Sequence, residues 1–123
     1  MTPPTPHPVR VTLRVAAGGA ERDAAIEDWL RSAAPGDEPQ RPVVIAEGML
    51  FDRLGPQGIP LVGLRAGCPC CTGQVALRVG LGRTLRSHRP DVILLLTAHA
   101  EHLPGLRRLL RQGELGVRLE VEG

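Results

Sequence analysis

Two periodicities alternate along this chain. From Val9 to Ala16, VRVTLRVA switches between apolar and polar positions at nearly every step, the period of a strand with one buried face. The next stretch, GGAERDAAIEDWLRSAAPG, changes rhythm: Ile26, Trp29, Leu30 and Ala33 fall at i, i+3, i+4 and i+7, one face of a helix that Pro35-Gly36 should end. After the polar DEPQRP comes VVIAE, Val43 to Glu47, a second strand. Gly- and Pro-rich sequence fills Gly48 to Pro60, and LVGLRAG, Leu61 to Gly67, makes a short third strand. Helical spacing returns after Thr72, an N-cap residue type, with Leu77, Leu81 and Leu85 as a spine. Arg78, Arg83, Arg86 and Arg89 fall largely on its wet side, and Arg89-Pro90 stops it. DVILLLTA is apolar almost throughout, as a strand buried on both faces must be. EHLPGLRRLLRQGE puts Pro104 near a helix start, Leu106, Leu109 and Leu110 on one face and Gly113 at the C-cap; GVRLEVEG closes as a strand. Strand, helix, strand, strand, helix, strand, helix, strand predicts an α/β protein, with a mostly parallel sheet of about five strands flanked by helices in three layers.

Composition narrows this picture. The 123 residues suit one domain, residues 9–123, behind a flexible Pro-rich tail over residues 1–8. Aromatics are 2% of the chain, so the core must be aliphatic. All fifteen basic residues are Arg, which excludes any mechanism that needs a lysine. A net charge of +2 and the lack of stacking aromatics argue against a nucleic-acid partner. No apolar run approaches the roughly 20 residues that span a bilayer, and MTPPTPHPVR has no apolar signal-peptide region. The expectation is a cytoplasmic protein with no membrane contact.

The chemistry concentrates in AGCPCCTGQ. All three cysteines, Cys68, Cys70 and Cys71, lie within four consecutive positions. Three readings compete. Cysteine can be a small buried hydrophobe, although three fenced by Gly67, Pro69 and Gly73 fill a core poorly. Cys68 and Cys71 have dithiol spacing, but Cys70 sits between them and neighbouring cysteines make strained bridges. The third reading is a metal site, since thiolates bind Zn²⁺ and similar ions tetrahedrally and successive side chains in a turn can converge on one ion. His99 and His102 follow the fourth strand. In a parallel sheet that end is also where Glu47 and the cysteine segment emerge, and ligands collect there. The alternative is that both histidines are exposed loop residues. Glu101 is expected to be a solvated or capping acid, His7 and His88 surface residues, and Arg107, Arg108 and Arg111 a wet helix face. Ser32 and Ser87 lack any nucleophile context.

The segment GCPCCTGQVALRVGLGRTLRSHRPDVILLLTAHAEHLPGL resembles the central part of the CobW-like GTPases, a family of cobalt, nickel and zinc metallochaperones. Gly67, Cys68, Cys70 and Cys71 match its G-C-x-C-C element; Arg89, Pro90 and Asp91, followed by Val92 to Leu96, match a second element. IAEG at Ile45 to Gly48 looks like the family's Asn-Glu-Phe-Gly stretch, whose Glu can join the metal site. The resemblance covers about residues 9–123 and implies half of a P-loop-NTPase-like domain. It also departs from the family. Where the phosphate loop should follow the first strand, the chain has VAAGGAERDAA: Gly18 and Gly19 remain, the Lys and the Mg²⁺-binding hydroxyl are absent, and Glu21 and Asp23 place negative charge where phosphate would lie. LTAH, Leu96 to His99, lacks the acid and glycine of the second nucleotide motif, and no guanine motif is present.

The resemblance therefore implies a metallochaperone-like or metal-storage protein that works without nucleotide and is not an enzyme. Its cofactor would be zinc or another divalent transition metal such as cobalt or nickel, held by Cys68, Cys70 and Cys71 with Glu47, His99 or His102. Besides the ion, a second copy of the chain or a protein client would be its partner. Two alternatives stand beside it: a GTP-binding protein with an altered phosphate loop, and an interaction module that uses an exposed sheet edge.

Overall fold

A computed structural model describes residues 9–32, 41–47, 52–55, 58–64, 73–112 and 119–122. The Pro-rich tail, Pro35-Gly36, the three cysteines, Thr72 and Gly113 lie outside the described residues. In chain order the elements are β1 (Val9–Val15), α1 (Gly19–Ser32), β2 (Pro42–Glu47), β3 (Arg53–Leu54), β4 (Pro60–Leu64), α2 (Gly73–His88), β5 (Val92–Thr97), α3 (Leu103–Gln112) and β6 (Leu119–Glu122). The strands form one sheet in the order β3-β4-β2-β5-β1-β6. All pairings are parallel except β3 with β4. The α/β class and the helix-flanked, mostly parallel sheet are those the periodicities predict.

The layers follow from the direction of each crossover. The step from β1 to β2 moves along the sheet one way, while β4 to β5 and β5 to β6 move the other way. Right-handed crossovers then put α1 on one face and α2 with α3 on the opposite face. Side-chain parity agrees. Val9, Val11, Leu13, Val43, Ile45, Ile93 and Leu95 pack with Leu81 and Leu85 of α2 and Leu106, Leu109 and Leu110 of α3. Val44, Ala46, Leu94 and Leu96 pack with Ile26 and Trp29 of α1. Both cores are aliphatic apart from Trp29. Arg10 and Arg14, on the α1 side of β1, are exposed because α1 lies over β2 and β5.

Three local features fix the frame. Asp91 ties together the amino ends of three strands. Its carboxylate accepts from the Arg41 amide at 2.9 Å, its own amide donates to the Arg41 carbonyl at 2.9 Å, and its carbonyl accepts from the Arg10 amide at 3.1 Å. Arg89, before Pro90, takes the left-handed conformation (φ 46°) and donates its amide to the Leu85 carbonyl at 3.1 Å, which closes α2. The sixth strand, β3, was not expected. Its two residues pair with Leu61 and Pro60, and beside it the Asp52 carboxylate accepts from the Gly63 amide at 2.9 Å. A side chain thus takes the place of a strand partner along part of the edge of β4.

Gly80 brings α2 against β4, since a methyl at this position would overlap the side chain of Leu64, itself 5% exposed. Gly82 meets only the flexible tip of Arg86, at 3.4 Å. Alanine should therefore act with opposite sign at the two sites. Gly82→Ala gains helix propensity, up to about 1 kcal/mol. Gly80→Ala sets that gain against overpacking of about 1–3 kcal/mol and should lower stability on balance. Chemical denaturation of both variants checks the pair; two stabilised proteins would show that α2 stands farther from β4.

Candidate functional site

The carboxyl end of the sheet brings together Glu47, Thr97, His99 and His102. Parity places the first two. Val43 and Ile45 face α2 and α3, so Glu47, two residues on, faces the same way; Ile93 and Leu95 do the same for Thr97. The β2–β5 register runs to Ala46 opposite Leu96, which leaves Glu47 and Thr97 side by side at the next step. Beyond Thr97 the chain makes a single 3-10 turn, Ala100–His102, closed by the His102 amide on the His99 carbonyl at 3.0 Å, and passes directly into α3. Leu106, Leu109 and Leu110 hold α3 on the sheet, and this carries His102 over Glu47.

The contacts form a chain of polar groups at the rim of an apolar core. His102 Nδ1 lies 2.7 Å from Glu47 Oε1. The Thr97 hydroxyl is 3.3 Å from Glu47 Oε2 and 3.3 Å from the His99 carbonyl, and it accepts from the His99 amide at 3.2 Å. A hydroxyl has one proton, so it divides that proton between the two acceptors. Thr97 is fully buried and the Glu47 side chain is 6% exposed; His102 is 17% and His99 56% exposed. The His99 and His102 rings lie 4.9 Å apart, centre to centre, tilted by 58°. Glu101 is exposed, its carboxylate 3.9 Å from His99 Nδ1, too long for a hydrogen bond.

Three of the expected site residues thus meet, and Glu47 and His102 meet at hydrogen-bond distance. His88 and Arg108 are exposed, as a surface role requires. Cys68, Cys70 and Cys71 lie outside the described residues, in the eight-residue connection 65–72 between the end of β4 and the start of α2. β4 is the neighbour of β2, with Leu64 in register with Glu47. Among the described residues, no three His, Cys, Asp or Glu side chains are placed to hold a metal ion. Thr97 is the one participant that the sequence reading passed over; it looks like the end of an apolar strand, and only its position beside Glu47 reveals it.

The turn after β1 has its own arrangement. Gly18 adopts φ +91° and accepts from the Arg22 amide at 3.1 Å, so it caps α1. Glu21 reaches back and accepts from the Ala17 amide at 2.7 Å, in the manner of a capping box shifted by one residue.

Thr97→Val tests the polar chain at constant volume. It removes a partner of Glu47 Oε2 and the acceptor of the His99 amide without opening a cavity. The expected loss is about 1–3 kcal/mol, the penalty for buried polar groups left without partners. Urea unfolding measures it; an unchanged midpoint would mean that these contacts contribute nothing.

Compared with known proteins, the chain matches no family model, no curated protein and no solved structure.

Proposed function

We propose that the protein binds a divalent transition metal, zinc above all, at the carboxyl end of its sheet, and holds or hands over the ion without nucleotide chemistry. The observation that carries this reading is the meeting of Glu47 and His102, at 2.7 Å, on the sheet end from which the cysteine segment departs. Cys68 follows Leu64 by four residues, a span of at most about 14 Å even when fully extended. Thiolates of Cys68, Cys70 and Cys71 would supply sulfur, His102 and His99 nitrogen, and Glu47 the adjoining carboxylate. An N/S shell of this kind suits Zn²⁺, while cobalt and nickel follow overlapping affinity orders.

The start of α1 supports the nucleotide-free form of this reading. Backbone amides at a helix start are what a phosphate would seek. Here the protein's own Glu21 carboxylate accepts from the Ala17 amide just ahead of the helix, and no lysine exists to offset a phosphate's charge. On this view the family resemblance extends to the fold half and the thiol cluster, and the GTPase half does not follow. The ion would pass to a protein client or to a second copy of the chain.

Protein purified without added metal should contain zinc or a similar ion, and a triple Cys→Ser variant should contain far less. Elemental analysis decides, and equal content in the two proteins would sink the proposal. A second expectation concerns stability. Among the described residues, the two apolar clusters already join the sheet to all three helices, so removal of metal should leave far-UV circular dichroism largely intact. It should still lower Tm, because a ligand at ~1,000 times its Kd stabilises the folded state by about 4 kcal/mol. Collapse to an unfolded chain on chelation would mean that the metal, and not the aliphatic core, makes the fold.

A further inference from the structure

Glu47 is poorly placed to act as an open ligand. Its side chain is 6% exposed, Oε1 faces His102 Nδ1 at 2.7 Å, and Oε2 faces the Thr97 hydroxyl at 3.3 Å. Both oxygens are therefore engaged on the inner side of the cluster, while the accessible atoms belong to the imidazoles. An ionised carboxylate can only accept, so the Nδ1–Oε1 contact requires a proton on Nδ1. A neutral imidazole that carries its proton on Nδ1 has its lone pair on Nε2. Thr97, fully buried at the end of β5, braces the second oxygen and so fixes the carboxylate from behind. Among the described residues His99 has no comparable brace, as its Nδ1 is 3.9 Å from an exposed Glu101.

We infer that Glu47 is a positioning residue. It fixes His102 as the Nδ1–H tautomer and leaves Nε2 as the nitrogen that takes the ion. Glu47 itself stays behind the ligand, bonded to it, as carboxylates do behind many metal-binding histidines. The identity of what Nε2 takes rests on the metal reading above; the tautomer and its cause do not. The inference also divides the roles of the two residues. His102 supplies a donor atom, Glu47 supplies its direction, and Thr97 supplies the direction of Glu47.

Long-range proton–nitrogen NMR of the full ¹⁵N-labelled chain at pH 8 tests this, with His102 assigned by its loss in His102→Gln. The metal-free protein should show His102 protonated at Nδ1. Zn²⁺ should then move the Nε2 signal and leave the Nδ1 proton in place. Glu47→Ala should release the tautomer and weaken Co²⁺ binding by about 10–100-fold. Glu47→Gln, whose carbonyl can still accept from Nδ1–H, should recover part of both effects. A wild-type His102 protonated at Nε2 with Zn²⁺ nevertheless bound would overturn the positioning role alone. Zn²⁺ that moves no histidine signal, with the Nδ1 tautomer present, would overturn the metal at Nε2 and leave the tautomer assignment standing.

Discussion

The molecule is organised by the need to bury β5 on both faces. Val92 to Leu96 are each at most 8% exposed, and Thr97 is not exposed at all. A strand in that position must have parallel partners on both sides, which β2 and β1 provide, and a helix layer above and below, which α1 and the α2–α3 pair provide. The same requirement creates the polar cluster. The last buried residue of β5 carries a hydroxyl, and a hydroxyl without water must find partners in the protein. Glu47 and the backbone of His99 meet that need, and Glu47 in turn needs His102. The candidate site is thus continuous with the core and not an addition to its surface.

Most of the architecture was legible because each element carries its own period. The alternation of VRVTLRV, the unbroken VILLLT and the Ile26–Trp29 spacing correspond to the observed β1, β5 and α1. β3 was not legible. Two residues cannot display a period of two, and Arg53-Leu54 is a strand only because the edge of β4 lies beside it. The site divides along the same line. That Glu47 and the two histidines share one sheet end follows from parallel topology, and the structure brings them together. That Glu47 and His102 make a close pair depends on the 3-10 turn after β5, which no periodicity announces. The cysteines lie outside the described residues, so their pattern still speaks for itself alone.

Asp91 has a structural task of its own. Its carboxylate and backbone secure the entries of β1, β2 and β5. Any chain that enters three neighbouring parallel strands at one level has amides there to satisfy. An aspartate at this position meets that need with one side chain and its own backbone. The functional proposal leans instead on the Glu47–His102 pair and on the thiol pattern of the sequence.

The turn after β1 illustrates competition between tethered and free anions. Glu21 is three residues from Gly18, so its carboxylate is always close to the amide of Ala17, which it meets at 2.7 Å. A tethered group of this kind has an effective concentration on the order of millimolar or more. A free phosphate would have to displace it and then tolerate the carboxylate's charge nearby, with no lysine to compensate. Such a turn is a lock with its own key already inside: an amide that a free anion could seek is already met by the chain's own carboxylate.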